Sequence, residues 1–171
     1  MYADDIILLS STVTGLQNML NLCSDVFKKL DLPINTEKSH CLRIGPRHRN
    51  ECAPLDLNGC GINWADKTNF LGVTICRGKN FTCCWRESKN KFFSNANTIL
   101  GRLGSSAAEN VLLKLVDSQG LQSLLYGTTA FALSKYDLLS LDHVYDSVYA
   151  KIFNVKSTEI IRQCQYYSGH L

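Results

Sequence analysis

Two adjacent carboxylates, Asp4 and Asp5, stand between Tyr2 and the apolar run Ile6-Ile7-Leu8-Leu9. An ionised carboxylate in apolar surroundings loses several kcal/mol of solvation unless a cation or donor compensates it, and a second negative charge beside it adds to the cost. A hard divalent ion such as Mg2+ meets that need, because it is held by one or two carboxylates together with substrate phosphate oxygens. The chemistry this pattern points to is phosphoryl transfer at a two-metal site. A solvated turn is the plain alternative for the same two residues.

The elements that must position the pair follow directly. The Ile-Ile-Leu-Leu run is short and bounded by Ser10-Ser11-Thr12, which predicts a strand buried on both faces, with the carboxylates at a tight turn leading into it. Ser10 to Thr14 supplies several N-caps. Leu16, Met19, Leu20, Cys23, Val26, Phe27 and Leu30 then recur at three- and four-residue steps. That spacing predicts a helix of about 16 residues covering one side of a sheet, stopped before Pro33. Cys41 to Ile44 alternates as a strand does and ends at Gly45-Pro46. Arg47 to Cys60 reads as an exposed connection or short hairpin, and Ile62 to Ile75 as two strands around a polar turn. From Trp85 the period becomes helical. One helix closes near Gly104, a second runs from about Ala107 to Tyr126, and a third from about Lys135 to Phe153. Gly120 weakens the second by about 1 kcal/mol relative to alanine. The tail from Asn154 carries no clear signal.

Tyr2-Ala3-Asp4-Asp5 ahead of a branched aliphatic run resembles the catalytic motif of reverse transcriptases, particularly those of non-LTR retrotransposons and, less closely, group II intron maturases. Leu32-x-Ile34-Asn35-x-x-Lys38-Ser39 resembles the fourth motif of their palm, and Phe70-Leu71-Gly72-Val73 the hairpin that follows it and grips the primer strand. Leu124-Leu125-Tyr126-Gly127 is similar to sequences in the helical region of non-LTR elements. The resemblance implies that Asp4 and Asp5 bind the catalytic metals, Mg2+ or Mn2+, while Tyr2 packs near the primer end. It implies that Lys38 sits by the incoming triphosphate and that Phe70, Leu71 and Gly72 contact the primer. The implied partners are an RNA template, a DNA primer and deoxynucleoside triphosphates. The implied fold class is α+β: a partial palm over residues 1–76, a short antiparallel sheet with a covering helix and the primer-grip-like hairpin, then a three-helix thumb-like region over 77–171. The family's metal site also takes a third carboxylate from an upstream strand. Only Met1 precedes Tyr2, so the expectation is an unpaired sheet edge, poorly compensated carboxylates and no polymerisation by the chain alone.

At 171 residues and 45% hydrophobic content, the chain is long and apolar enough for one or two packed units and too apolar for disorder by composition. Net charge is only +3, but its distribution is uneven. Lys28, Lys29, Lys38, Arg43, Arg47 and Arg49 face only Asp31 and Glu37, and Arg77, Lys79, Arg86, Lys89, Lys91 and Arg102 face only Glu87. Clustered cations suit a phosphate backbone, and Arg86, Lys89 and Lys91 on the first thumb-like helix are the residues expected to contact nucleic acid. A solvated helix face has the same composition. Eight cysteines without C-x-x-C spacing read as reduced thiols rather than a zinc site. No signal peptide and no apolar run of about 18 residues is present, so a cytoplasmic or nuclear chain is expected, neither secreted nor membrane-inserted. Beside a polymerase fragment stand two other readings: a non-catalytic nucleic-acid-binding remnant, and a decayed retroelement fragment without function.

Overall fold

The computed structural model describes residues 4–104 and 106–169. The chain is mixed α+β and divides into two compact units, Met1–Cys83 and Cys84–Leu171.

In the first unit, helix α1 (Val13–Lys29) begins where expected: the Thr12 hydroxyl accepts from the Gly15 amide at 3.0 Å. The Ser10 hydroxyl donates to the Thr12 carbonyl and accepts from the Thr12 amide, fixing the entry to the helix. Strand β1 (Cys41–Leu42) pairs in parallel with β4 (Trp64–Ala65), and between them in sequence lies the hairpin of β2 (Leu55–Leu57) and β3 (Cys60–Ile62). That hairpin turns at Asn58-Gly59, with φ of 55° and 84°, as a two-residue type I′ turn requires. Its register places Leu55 opposite Ile62. Both pack with Leu57, Cys41 and Leu20 of α1 into one apolar cluster, bordered by Leu8, Val13, Leu16, Ile34 and Trp64. Gln17 fastens α1 to β2 through both ends of its amide: Nε2 donates to the Asp56 carbonyl at 2.6 Å, and the Asp56 amide donates to Oε1 at 2.8 Å.

The apolar stripe foreseen for α1 is divided. Leu20 is buried and Leu16, Cys23 and Phe27 are half-buried, whereas Met19, Val26 and Leu30 are exposed. Only part of the apolar surface of α1 meets the small hairpin.

The remaining strands, β5 (Lys67–Phe70), β6 (Val73–Cys76) and β7 (Thr82–Cys83), form an antiparallel sheet in the order β5-β6-β7. The expected polar turn is corrected here. The polar residues Lys67, Thr68 and Asn69 lie within β5, and the reversal occurs at Leu71-Gly72, with φ of 50° and 77°. Two consecutive positive φ angles match the strand twist across a two-residue loop and outweigh the polarity of the preceding segment. Buried Thr74 on β6 has a hydroxyl without a hydrogen-bond partner among the described residues.

The second unit is helical: α2 (Arg86–Leu103), α3 (Glu109–Val116), a π-helical turn at Asp117–Leu121, α4 (Gln122–Leu125), a 3-10 turn at Thr128–Ala130, α5 (Lys135–Ile152) and α6 (Thr158–Tyr167). The helix foreseen from about Ala107 to Tyr126 is therefore one helical path with a π turn inside it. Gly120 lies within that turn, against Phe92: a Cβ there would lie 3.1 Å from the ring. Ser134 and Asp137 form a capping box at the start of α5. Gly127, at φ 78°, follows the end of α4. Helix α6 corrects the view of the tail as featureless: Ile161 and Gln165 form its buried side. The core centres on Phe92, Val116, Leu124, Val148 and Tyr149, each at most 2% exposed. Tyr145 donates to the Asp117 carboxylate at 2.7 Å, and burial followed by this bond pushes the Tyr145 hydroxyl pKa far up, so it stays protonated.

Candidate active site and nucleic-acid contacts

Asp4 lies in a turn and Asp5 makes a single β-bridge, both side chains exposed. Residues 6–10 follow without strand pairing. Ile6 and Leu8 are half-buried, while Ile7 and Leu9 are 46% and 81% exposed. The expectation of a strand buried on both faces is thus corrected: this is an extended segment with one face packed, through Leu8, on the first unit's apolar cluster. Among the described residues no second strand or layer covers Ile7 and Leu9, which is why the apolar run has one wet side. Exposure also removes the desolvation penalty from the two carboxylates.

Lys38 occupies a turn built by Asn35, whose side-chain oxygen accepts from the Lys38 amide at 3.0 Å and whose carbonyl accepts from the Ser39 hydroxyl at 2.6 Å. Ile34, four residues earlier, packs on the same cluster as Leu8. The carboxylate-bearing segment and the lysine-bearing turn are thereby seated on one core. Their charged groups are not joined: among the described residues no ion pair or hydrogen bond links Lys38 to Asp4 or Asp5. Tyr2 lies outside the described residues.

Oxygen donors of this type suit Mg2+. Among the described residues, however, no group of three or more His, Cys, Asp or Glu side chains is placed to hold a metal. Asp4 and Asp5 are two ligands of the right chemistry, and the residues present do not close a metal centre around them.

At the hairpin tip, Phe70 and Leu71 are half-buried and Gly72 is exposed. On α2 the three expected cations do not share one outward face. Lys89 is half-buried and its ammonium donates to the Ser140 hydroxyl on α5, on the side of the helix that buries Phe92. Arg86 and Lys91 are exposed, but five residues of helix turn them about 140° apart. The helical period already separates these two residues, a rotation that counting charges along the sequence leaves out.

Residues 1–75 match the family model described as reverse transcriptase (RNA-dependent DNA polymerase). The match lies within the first unit and contains the Asp4-Asp5 turn, the Lys38 turn and the Leu71-Gly72 hairpin. No curated protein and no solved structure matches the chain. No described helix is long and apolar enough to cross a membrane.

Proposed function

We propose that this chain is the palm-and-thumb part of an RNA-directed DNA polymerase of the non-LTR retrotransposon kind. The observation that carries the reading is the coincidence of the reverse transcriptase match over residues 1–75 with an exposed Asp-Asp turn leading into an apolar extended segment. Asp4 and Asp5 contribute two carboxylates to a divalent-metal site that requires a further ligand from outside the described residues. Lys38 belongs beside the triphosphate, where a cation offsets charge developing on the leaving group. Phe70, Leu71 and Gly72 belong to the primer side, and the helical unit, with Arg86 and Lys91 exposed, to the duplex. Template RNA and primer DNA are the partners.

With two exposed carboxylates and no third ligand grouped with them among the described residues, the isolated chain is expected to give no primer extension on an RNA template with Mg2+ or Mn2+. The decisive arm is a fusion behind the fingers and upstream palm of a reverse transcriptase of this class. Template-dependent extension by the fusion, lost in Asp4→Asn/Asp5→Asn, supports the reading; a folded fusion that never extends sinks it. Asp4 and Asp5 stand exposed with no closed metal group around them among the described residues, which favours, as the second reading, a non-catalytic nucleic-acid-binding remnant.

A further inference from the structure

The first unit carries a basic surface that the sequence holds in two distant pieces. The loop Gly45-Pro46-Arg47-His48-Arg49-Asn50 brings two exposed guanidinium groups, and the segment Arg77-Gly78-Lys79 brings an exposed ammonium. Backbone bonds join the pieces: Ile44 and Gly78 form a parallel bridge, and the Gly45 amide donates to the Gly78 carbonyl at 2.9 Å. Side chains then staple the loop. Arg77 Nε donates to the His48 carbonyl at 2.5 Å, Arg43 Nη1 to the Asn50 carbonyl at 3.1 Å, and His48 Nδ1 lies 3.0 Å from the Gly45 carbonyl. These bonds spend parts of Arg43 and Arg77 on the fold and leave Arg47, Arg49 and Lys79 pointing to solvent on a fixed frame. Among the described residues, the one ion pair is Arg77 with the exposed Asp66, at 3.1 Å. Beside the loop, Arg43, Asn50, Glu51, Cys52, Trp64 and Arg77 line a cavity of about 220 Å3, where the exposed Glu51 carboxylate stands among the cations, and the Trp64 indole is oriented by its donation to the Ala53 carbonyl at 2.9 Å.

Holding like charges together costs free energy unless an anion offsets it. Exposed cations on a fixed backbone frame, in excess over the neighbouring carboxylates Glu51 and Asp66 and with an oriented indole in the adjoining cavity, suit a phosphodiester backbone: planar forks for phosphate oxygens and an aromatic surface for a base. We propose that the Arg47, Arg49 and Lys79 surface, framed by Arg43, Arg77 and Trp64, binds the phosphate backbone of nucleic acid. The choice of nucleic acid over other polyanions rests on the reverse transcriptase reading; the charge cluster itself does not. This surface is separate in sequence from the Asp4-Asp5 turn and from the cations of α2.

The test is fluorescence anisotropy of the full chain with a labelled mixed-sequence RNA–DNA duplex and with single-stranded RNA, titrated over a salt series in EDTA. Arg47→Ala/Arg49→Ala/Lys79→Ala removes only exposed cations and leaves the stapling residues in place, and circular dichroism verifies the fold. Binding is expected to weaken tenfold or more at low salt, with the slope of log K against log salt reduced by roughly 2–3, about one per lost phosphate contact. Arg86→Ala/Lys91→Ala serves as the comparison on the helical unit. Unchanged affinity and slope in the triple variant, or no binding by the parent chain, overturns the proposal. So does equal binding of polyglutamate or phosphatidylserine vesicles lost in the same variant, which would make the surface a general polyanion site. Because no metal is present and Asp4→Asn/Asp5→Asn leaves the surface intact, a patch-dependent loss persists even if the polymerase fusion fails. The two readings therefore fail separately.

Discussion

The two units are of similar length and unequal depth. Of the buried hydrophobic residues among those described, six lie in the first unit and thirteen in the second. Among the large side chains buried almost completely, Leu57 alone belongs to the first, against Tyr149, Phe92, Leu124, Val116 and Val148 in the second. The first unit also leaves Leu9, Leu22, Val26, Leu30 and Leu32 more than half exposed. Burial contributes roughly 25 cal/mol per Å2 of apolar surface, so the helical unit has the larger reserve. The reverse transcriptase match and its carboxylates sit on the thinner core. A scaffold with few buried contacts opens locally at low cost, and an apolar stripe that meets a partner along only part of its width leaves a second surface able to receive one.

The comparison breaks most sharply on core truncation. Each unit holds one of the two tryptophans, Trp64 in the first and Trp85 in the second, so single-tryptophan variants report the units separately during denaturant unfolding. Phe92→Ala removes a fully buried ring and is expected to destabilise the helical unit by about 3–5 kcal/mol, moving the Trp85 transition and not the Trp64 one. Leu57→Ala is expected to move the earlier Trp64 transition alone. One shared transition displaced by both substitutions would show that the units fold as a single cooperative block.

A second substitution sharpens the contrast by reversing its expected sign. Helix propensity alone makes Gly120→Ala stabilising by about 1 kcal/mol. The added methyl, however, would lie 3.1 Å and 3.2 Å from two carbons of the Phe92 ring, and overpacking a tight core costs roughly 1–3 kcal/mol. A net loss of up to about 2 kcal/mol in the Trp85 transition is the expected outcome. A gain would mean that the ring moves aside freely and that the second core is looser than its burial indicates.

Local signals were legible where local physics decides. A cap within Ser10–Thr14, the helix after it, the helical period from Trp85 and the stop near Gly104 are all interactions over a few residues, and each is seen, whereas the α1 stripe is buried over only part of its width. Leu71 at positive φ was hidden because strand pairing on both sides imposes a conformation that leucine alone disfavours. Helix α6 was hidden because its polar neighbours and lack of a side-chain cap dilute a short stripe, although Ile161, Cys164, Gln165 and Ser168 keep the three- and four-residue step. At the candidate site, the Asp pair and the Lys38 turn were legible as residues, while their exposure and lack of a joining contact were not. The basic surface needed the pairing of Ile44 with Gly78, thirty-four residues apart, which no periodicity encodes.

The smallest effect concerns the first unit's own packing. Thr74 is 6% exposed on β6, flanked in register by the pairing of β5, and its hydroxyl has no hydrogen-bond partner among the described residues. A buried hydroxyl without a partner carries a desolvation cost of roughly 1–3 kcal/mol, and replacing it with an apolar group of nearly the same shape removes that cost. Valine keeps the β-branch that strand residues favour. Thr74→Val is therefore expected to raise the Trp64 transition by about 1 kcal/mol and leave the Trp85 transition where it is. The sign separates two causes of the thin first core. A gain means that an unpaired polar group weakens a sheet otherwise well packed. A loss means that the hydroxyl has a partner in solution, and the missing stability must then be sought on the uncovered sides of α1 and the Ile6–Leu9 segment.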